Sequence, residues 1–350
     1  MATTPFFTHA EISGVLSEVV PWQPFILQHF AQEHVTNDKV IYFDKIATDN
    51  RIAVFVNPRI PGKARTTKGF SVESYQPGYI KEKDLVLPDH VFARRPGESM
   101  GQPLTPEARY AATVVDIAEK QLERRSRRLE LMATDLLLYG AYTMSGEQHE
   151  VDVDFGRNVA NTITLTTTAR WLNANTTVSP WQDLEDWLNL CQQPIKTIEM
   201  GAAAWRYLKN DSKFDQYVYV DLLSRNAVNM EFGLQQRSAE GLTYVGTMPG
   251  TGVQMFVNTK TYTDIVTGAE VPYVPTDAVI GIPDRMYGWQ CFASIQDGAA
   301  NFMGMPYFLK NWLEEDPGIP YVMMQCAPMI LHTKINSTFS ARTGATASGA

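Results

Sequence analysis

The amino-acid sequence predicts an α+β protein in which one helix is far longer than the others, and three observations carry that reading. An apolar stripe at helical spacing runs from Thr105 to Gly140. Short β-branched and aromatic runs, broken by Pro and Gly, fill the chain on either side of it. Helices and strands do not alternate regularly enough for a doubly wound parallel sheet.

The long element comes first because the rest is arranged around it. Tyr110, Val114, Ala118, Leu122, Leu129, Met132, Leu136 and Leu137 fall close to an i, i+4, i+7 pattern, so one face is buried and the other wet. Thr105 is placed to cap the N-terminus, Pro106 to occupy the first helical position, Glu107 to complement the dipole and Gly140 to stop the helix. Such an element is a rod of ~50 Å. The run Glu123 to Arg128, ERRSRR, excludes a membrane span, and no heptad is sustained.

The chain has 350 residues, enough for a large core in two or three lobes. Hydrophobic residues at 44% and aromatics at 11% mark it as folded. A formal charge of -8 argues against a dedicated nucleic-acid binder, because phosphate affinity comes from clustered Lys and Arg. Cys191, Cys291 and Cys326 are too scattered for a disulfide framework or a zinc site, so buried free thiols in a reducing compartment are expected. No secretory signal is expected from MATTPFFTHAEIS, and no stretch reaches the ~18 apolar residues of a membrane helix.

Residues 1 to about 36 are Pro-punctuated and aromatic, with Trp22 and Phe25 ahead of a short amphipathic turn over Ile26 to Phe30. They read as an arm lying on another surface, of this subunit or the next one, more than as a core element. Strands are predicted at Val40–Phe43 and Ile52–Val56, then a polar stretch with Arg59, Lys63, Arg65 and Lys68, then Tyr75 to Lys81 with Tyr79. That is a long two-stranded excursion with a basic tip, which gains stability from a neighbour. After the long helix, Val151, Val153 and Phe155 alternate with Asp152 and Asp154, a strand with carboxylates on one side. A second lobe opens at Pro180 with the amphipathic helix Trp181–Leu190. It continues with a strand and helix over 196–209, strands at 241–246 and 253–257, and a turn region over 262–273. The apolar run Val322–Leu331 bends at Pro328, and the tail from Ser340 reads as low-complexity and unstructured.

Chemistry is sparsely signalled. There is no P-loop, GxGxxG, GxSxG, HExxH, paired CxxC or EF-hand, and the six histidines show no ligand spacing. Asp152 and Asp154 could hold a metal in a metal-dependent enzyme, but a solvated strand face explains them better. Arg124, Arg125, Arg127 and Arg128, interleaved with Glu119, Glu123 and Glu130, read as a salt-bridged wet face or a subunit contact. No cofactor and no metal are expected. An arm, a protruding hairpin and a rod together imply assembly, with Trp22, Phe25, Arg59, Lys63, Arg65, Lys68, Tyr75, Tyr79, Arg124 and Arg128 as the candidate interface residues.

The order of QPGYIKEK (Gln76 to Lys83), the long helix, YGAYTMSGE (Tyr139 to Glu147), VDVDFGRN (Val151 to Asn158), YGWQCFASIQDG (Tyr287 to Gly298), KNW (Lys310 to Trp312) and QCAPMIL (Gln325 to Leu331) resembles the major capsid proteins of lambda-like tailed bacteriophages. The resemblance extends from about Pro21 to Leu331. It implies the Hong Kong 97-type capsid fold: an N-terminal arm at 1–37, an extended loop at 38–97, a peripheral domain at 98–180 built on a spine helix at 105–140, an axial domain at 181–305, and completion of the peripheral domain by 306–350. It further implies a homo-oligomeric icosahedral shell of hexamers and pentamers around packaged double-stranded DNA. Assembly would use a scaffold and a portal, and a decoration protein can clamp the shell. Some relatives crosslink a loop lysine, a role Lys63 or Lys68 could be tried in, although the lambda-like branch is not expected to do so. A nanocompartment shell of the encapsulin type, with the same fold around an enzyme cargo, is the second reading in a neighbouring class.

Overall fold

The computed structural model describes residues 9, 22–46, 70–94, 104–146, 149–171, 178–211, 241–248, 251–316 and 318–344. The long helix spans Pro106–Tyr139, 34 residues. Its boundaries follow from its caps: the Thr105 Oγ1 accepts from the Ala108 N–H at 3.3 Å, and Gly140 takes φ 72°, turning its N–H onto the Leu136 carbonyl at 2.9 Å. A left-handed turn here would strain any residue with a side chain.

The helix serves two cores. Its first half, through Tyr110, Val114 and Ala118, packs on Leu309, Val322, Met324 and Cys326. These belong to an antiparallel sheet of Phe308–Leu313, Pro320–Cys326 and Ile80–Leu85. Its second half, through Leu129, Met132, Ala133, Leu136 and Leu137, enters a larger core with Phe292, Met329, Ile330 and the arm residues Phe25 to Phe30. Strands Gly288–Phe292 and Pro328–His332 of that core pair antiparallel, and Gln32–Val35 adds to their edge in parallel. The bend predicted at Pro328 separates two strands that join different sheets.

The second lobe is a mixed six-stranded sheet in the order Thr162–Thr164, Phe339–Arg342, Ala278–Pro283, Ile195–Met200, Gln254–Asn258, Leu242–Thr247. Helices Pro180–Leu190 and Ala202–Lys209 cover it through Trp181, Leu184, Trp187, Ala204 and Leu208. The Trp171 and Trp187 rings stack at 5.5 Å beside them. Besides the short helix Pro88–Phe92, three small hairpins are described: Ile41–Ile46 with Phe70–Tyr75, Ala141–Gly146 with His149–Asp154, and Thr261–Thr263 with Glu270–Pro272.

Three expectations are corrected. The arm does not merely lie on a surface, because Phe25, Ile26, Leu27 and Phe30 are buried in the subunit's own core. Glu130 is not on the wet face of the long helix. It is fully buried, and its carboxyl accepts the N–H groups of Phe25, Ile26 and Leu27 at 3.1, 2.9 and 2.9 Å. The two corrections are one fact, since an irregular segment enters a core only when its backbone donors find acceptors. Thirdly, the tail is not unstructured from Ser340. Phe339–Arg342 is an inner strand of the six-stranded sheet, with Ser340 and Ala341 buried, while residues 345–350 lie outside the described ones.

Candidate assembly interface

The loop that follows the His149–Asp154 strand holds the long helix in place. Arg157 donates to the Leu137 carbonyl at 2.5 Å and the Leu138 carbonyl at 2.5 Å, and also to Ser340 Oγ at 2.9 Å and Thr162 Oγ1 at 2.9 Å. A helix leaves its last carbonyls without partners. One guanidinium fork here satisfies two of them and ties the helix end to two strands of the large sheet. Burial lowers the Arg157 pKa to about 10, which still leaves it cationic at neutral pH and suited to the negative end of the helix.

A second polar cluster sits under the arm. Lys260 Nζ donates to the Gln23 carbonyl at 2.9 Å and lies 5.3 Å from the Trp22 ring. Asn258 Nδ2 donates to Glu199 Oε1, and Lys260 N donates to Asn258 Oδ1 at 2.8 Å. Burial raises the Glu130 carboxyl above its ordinary value, against its three backbone donors and Lys260. Glu199 is fully buried, and that desolvation pushes its pKa up to about 8. The cluster thus holds two carboxyls and one nearby ammonium. With its pKa at about 8, Glu199 keeps its proton at neutral pH, and the three N–H donors on Glu130 oppose the upward shift that its burial causes.

The ten sequence-derived interface residues fall into three groups. Arg59, Lys63, Arg65 and Lys68 lie outside the described residues, as does the strand predicted at Ile52–Val56. Trp22, Phe25, Tyr75, Tyr79 and Arg124 already make contacts inside the subunit. Phe25 is in the core, and Trp22 is half-buried near Lys260, Arg127 and Tyr273. Tyr75 stacks on Phe43 at 5.9 Å, and the Tyr79 hydroxyl donates to Gln325 Oε1 at 2.5 Å. Arg124 pairs with Glu82 at 3.2 Å and Asp84 at 3.3 Å. Arg128 is the third group, an exposed cation on the outer face of the long helix.

Asp152 and Asp154 sit on the exposed side of their strand, as the alternation predicts. Thr143 Oγ1 donates to Asp152 at 2.6 Å and the Gly156 N–H to Asp154 at 2.8 Å. They border an open groove with Asp135, Tyr139 and Thr143, where burial raises the Asp135 carboxyl to about 6. Among the described residues, no group of three His, Cys, Asp or Glu side chains is placed to hold a metal ion. The three cysteines are free, and burial raises their thiols to about 12, 12 and 11, which makes them poor nucleophiles.

The described residues form a mixed fold with a capped rod helix, a core-anchored arm root and a hairpin whose base, through Ile41 and Phe43, is buried in the same core. The family model described as phage major capsid protein E matches residues 8–343, so the chain belongs to that family. It is similar to the major capsid protein of Enterobacteria phage P21, 26% identical over 333 residues, covering 93% of this chain and 95% of that protein. The major capsid protein of Escherichia phage lambda is 25% identical over 334 residues, again covering 93% and 95%. Among solved structures, the putative capsid protein of a prophage of E. coli CFT073 superposes with a TM-score of 0.75 at 18% identity, covering 97% of this chain and 100% of that one. The fold is therefore the Hong Kong 97-type α+β capsid fold, and the chain is a component of the virion head. Of the two shell readings, the family match selects the phage head protein over the nanocompartment. Sequence reasoning missed Glu130, Glu199, Lys260 and Arg157, the residues that position the arm and the helix.

Proposed function

We propose that this chain assembles into an icosahedral head shell of hexamers and pentamers enclosing double-stranded DNA, with no catalytic role. What carries the reading is the match to the major capsid protein family along nearly the whole chain. We further propose the division expected from the resemblance: an arm at 1–37, an extended loop at 38–97, a peripheral domain at 98–180 completed by 306–350, and an axial domain at 181–305. A scaffold and a portal would act during assembly in the host cytoplasm, and a decoration protein would bind the finished shell. Packaged DNA would meet the wall without sequence preference, in keeping with a formal charge of -8.

In this reading, the basic residues Arg59, Lys63, Arg65 and Lys68 reach carboxylates on the next subunit, with Arg128 as a further contact on the rod. Each exposed pair contributes only ~0 to 1 kcal/mol, so several must act together. Replacing residues 62–69 by a short turn is expected to leave the thermal melt and circular dichroism of the subunit unchanged. Sedimentation is expected to show particle formation abolished. Normal shells from that variant would place the contacts elsewhere.

A further inference from the structure

The segment Asp297 to Gly304 is a short loop with an uncommon backbone. Asn301 and Phe302 both take positive φ, 52° and 56°. Asn tolerates the left-handed region because its side chain hydrogen-bonds locally, whereas a bulky aromatic adopts it only when its surroundings impose it. Those surroundings are plain. The Ala300, Asn301 and Met303 N–H groups donate to the carbonyls of Asp297, Gly298 and Ala300, each at 3.1 Å, and the Ile295 N–H donates to the Met303 carbonyl at 3.0 Å. The Asp297 carboxyl accepts from the Ala299 N–H at 2.9 Å, from Gln325 Nε2 at 2.6 Å and from Lys310 Nζ.

The loop is pinned at its far end as well. The Gly304 N–H donates to Asn37 Oδ1 at 2.9 Å, and a Cβ on Gly304 would sit 2.2 Å from the Thr36 carbonyl oxygen. Ala300 points inward to pack with Ile295 and Phe308. The two residues that follow the left-handed turn go the other way: Phe302 is 64% exposed and Met303 50%. Val35, 43% exposed, extends the same patch, its Cγ1 only 2.8 Å from where a Gly304 Cβ would be. The loop backbone is held within the subunit, but the Phe302 and Met303 side chains it carries stand half or more in water there. Strain of this kind is kept where it serves a contact.

We propose that Phe302 and Met303, with Val35, form an apolar knob that seats against a neighbouring copy of this chain. The occupant follows from two observations. The chain belongs to a family whose members build shells from copies of themselves. The loop is also tied to residues 36–38, which lead directly into the hairpin that starts at Ile41, so the knob stands at the base of the element proposed above to contact the next subunit. The inference rests on the shell reading above.

The test separates the two. Phe302→Asn removes the ring and suits the left-handed backbone, so the free subunit is expected to melt at or above the wild-type temperature. The protein concentration needed for particles, read by sedimentation and light scattering, is expected to rise about tenfold or more. Met303→Gln touches no strained position and is expected to act in the same direction, which keeps the test sound if the first variant folds poorly. If wild-type chains build shells and both variants do so at the same concentration, the knob is overturned while the shell reading stands. Normal shells that fail only to recruit another protein would overturn the choice of a second copy. Failure of the wild-type chain to form any particle would overturn both.

Discussion

Arg157→Ala is expected to lower the stability of the subunit by about 3 to 5 kcal/mol, a large fraction of what a domain has in total. The side chain makes four hydrogen bonds, two of them to carbonyls at the end of the long helix and two to strands of the six-stranded sheet. Hydrogen bonds from a charged donor contribute about 1.5 to 3 kcal/mol each. Truncation also leaves the Leu137 carbonyl without its guanidinium partner, while Leu138 retains only the Ser340 hydroxyl at 2.5 Å. Arg157→Lys is expected to recover only part of the loss, because an ammonium cannot reproduce the planar fork. Denaturant melts of the unassembled subunit read both values. A loss below about 1 kcal/mol for Arg157→Ala would show that the helix end is held by packing alone.

The second large effect is a pH dependence that Glu199→Gln removes. Burial raises Glu199 from 4.5 to about 8 in the folded chain, with the neighbouring Glu130 adding to the shift while Asn258 and Lys260 oppose it. A carboxyl whose pKa is raised by folding favours the folded state fully below its unfolded value, and that advantage is lost as pH rises through the folded value. The window is therefore about 4.5 to about 8. Gln keeps the oxygen that accepts from Asn258 and carries no proton to lose. Glu199→Gln is thus expected to match wild type near pH 4.5 and to exceed it by on the order of 3 kcal/mol at neutral pH. Thermal melts of both proteins across that range measure the difference, and a constant offset at every pH would refute the buried-proton reading.

Much of the fold was legible because it rests on local rules. The long helix was bounded correctly by Thr105, Pro106 and Gly140, whose preferences are set by capping geometry and need no tertiary knowledge. The strand with Asp152 and Asp154 facing out followed from alternation alone. What could not be read were buried polar residues, since a glutamate in a sequence signals solvent. Glu130 did leave one clue, lying three and seven residues before Ala133 and Leu137 on the buried face of the helix. Its partners, the backbone N–H groups of the arm about a hundred positions away, leave no trace in composition or period. Arg157 stood inside the VDVDFGRN segment that carried the family resemblance, yet its reason is a helix end and a sheet brought together only by the fold. The arm looked exposed because its aromatics sit among prolines, and it is buried because Glu130 accepts its N–H groups.

The central claim is that copies of this chain close into a shell. Negative-stain electron microscopy of the purified chain tests it directly. The expected images show closed, uniform particles with the outline of an icosahedral head, built by a chain that shares its family and its fold with phage capsid subunits. A field of dispersed monomers at high concentration would contradict it.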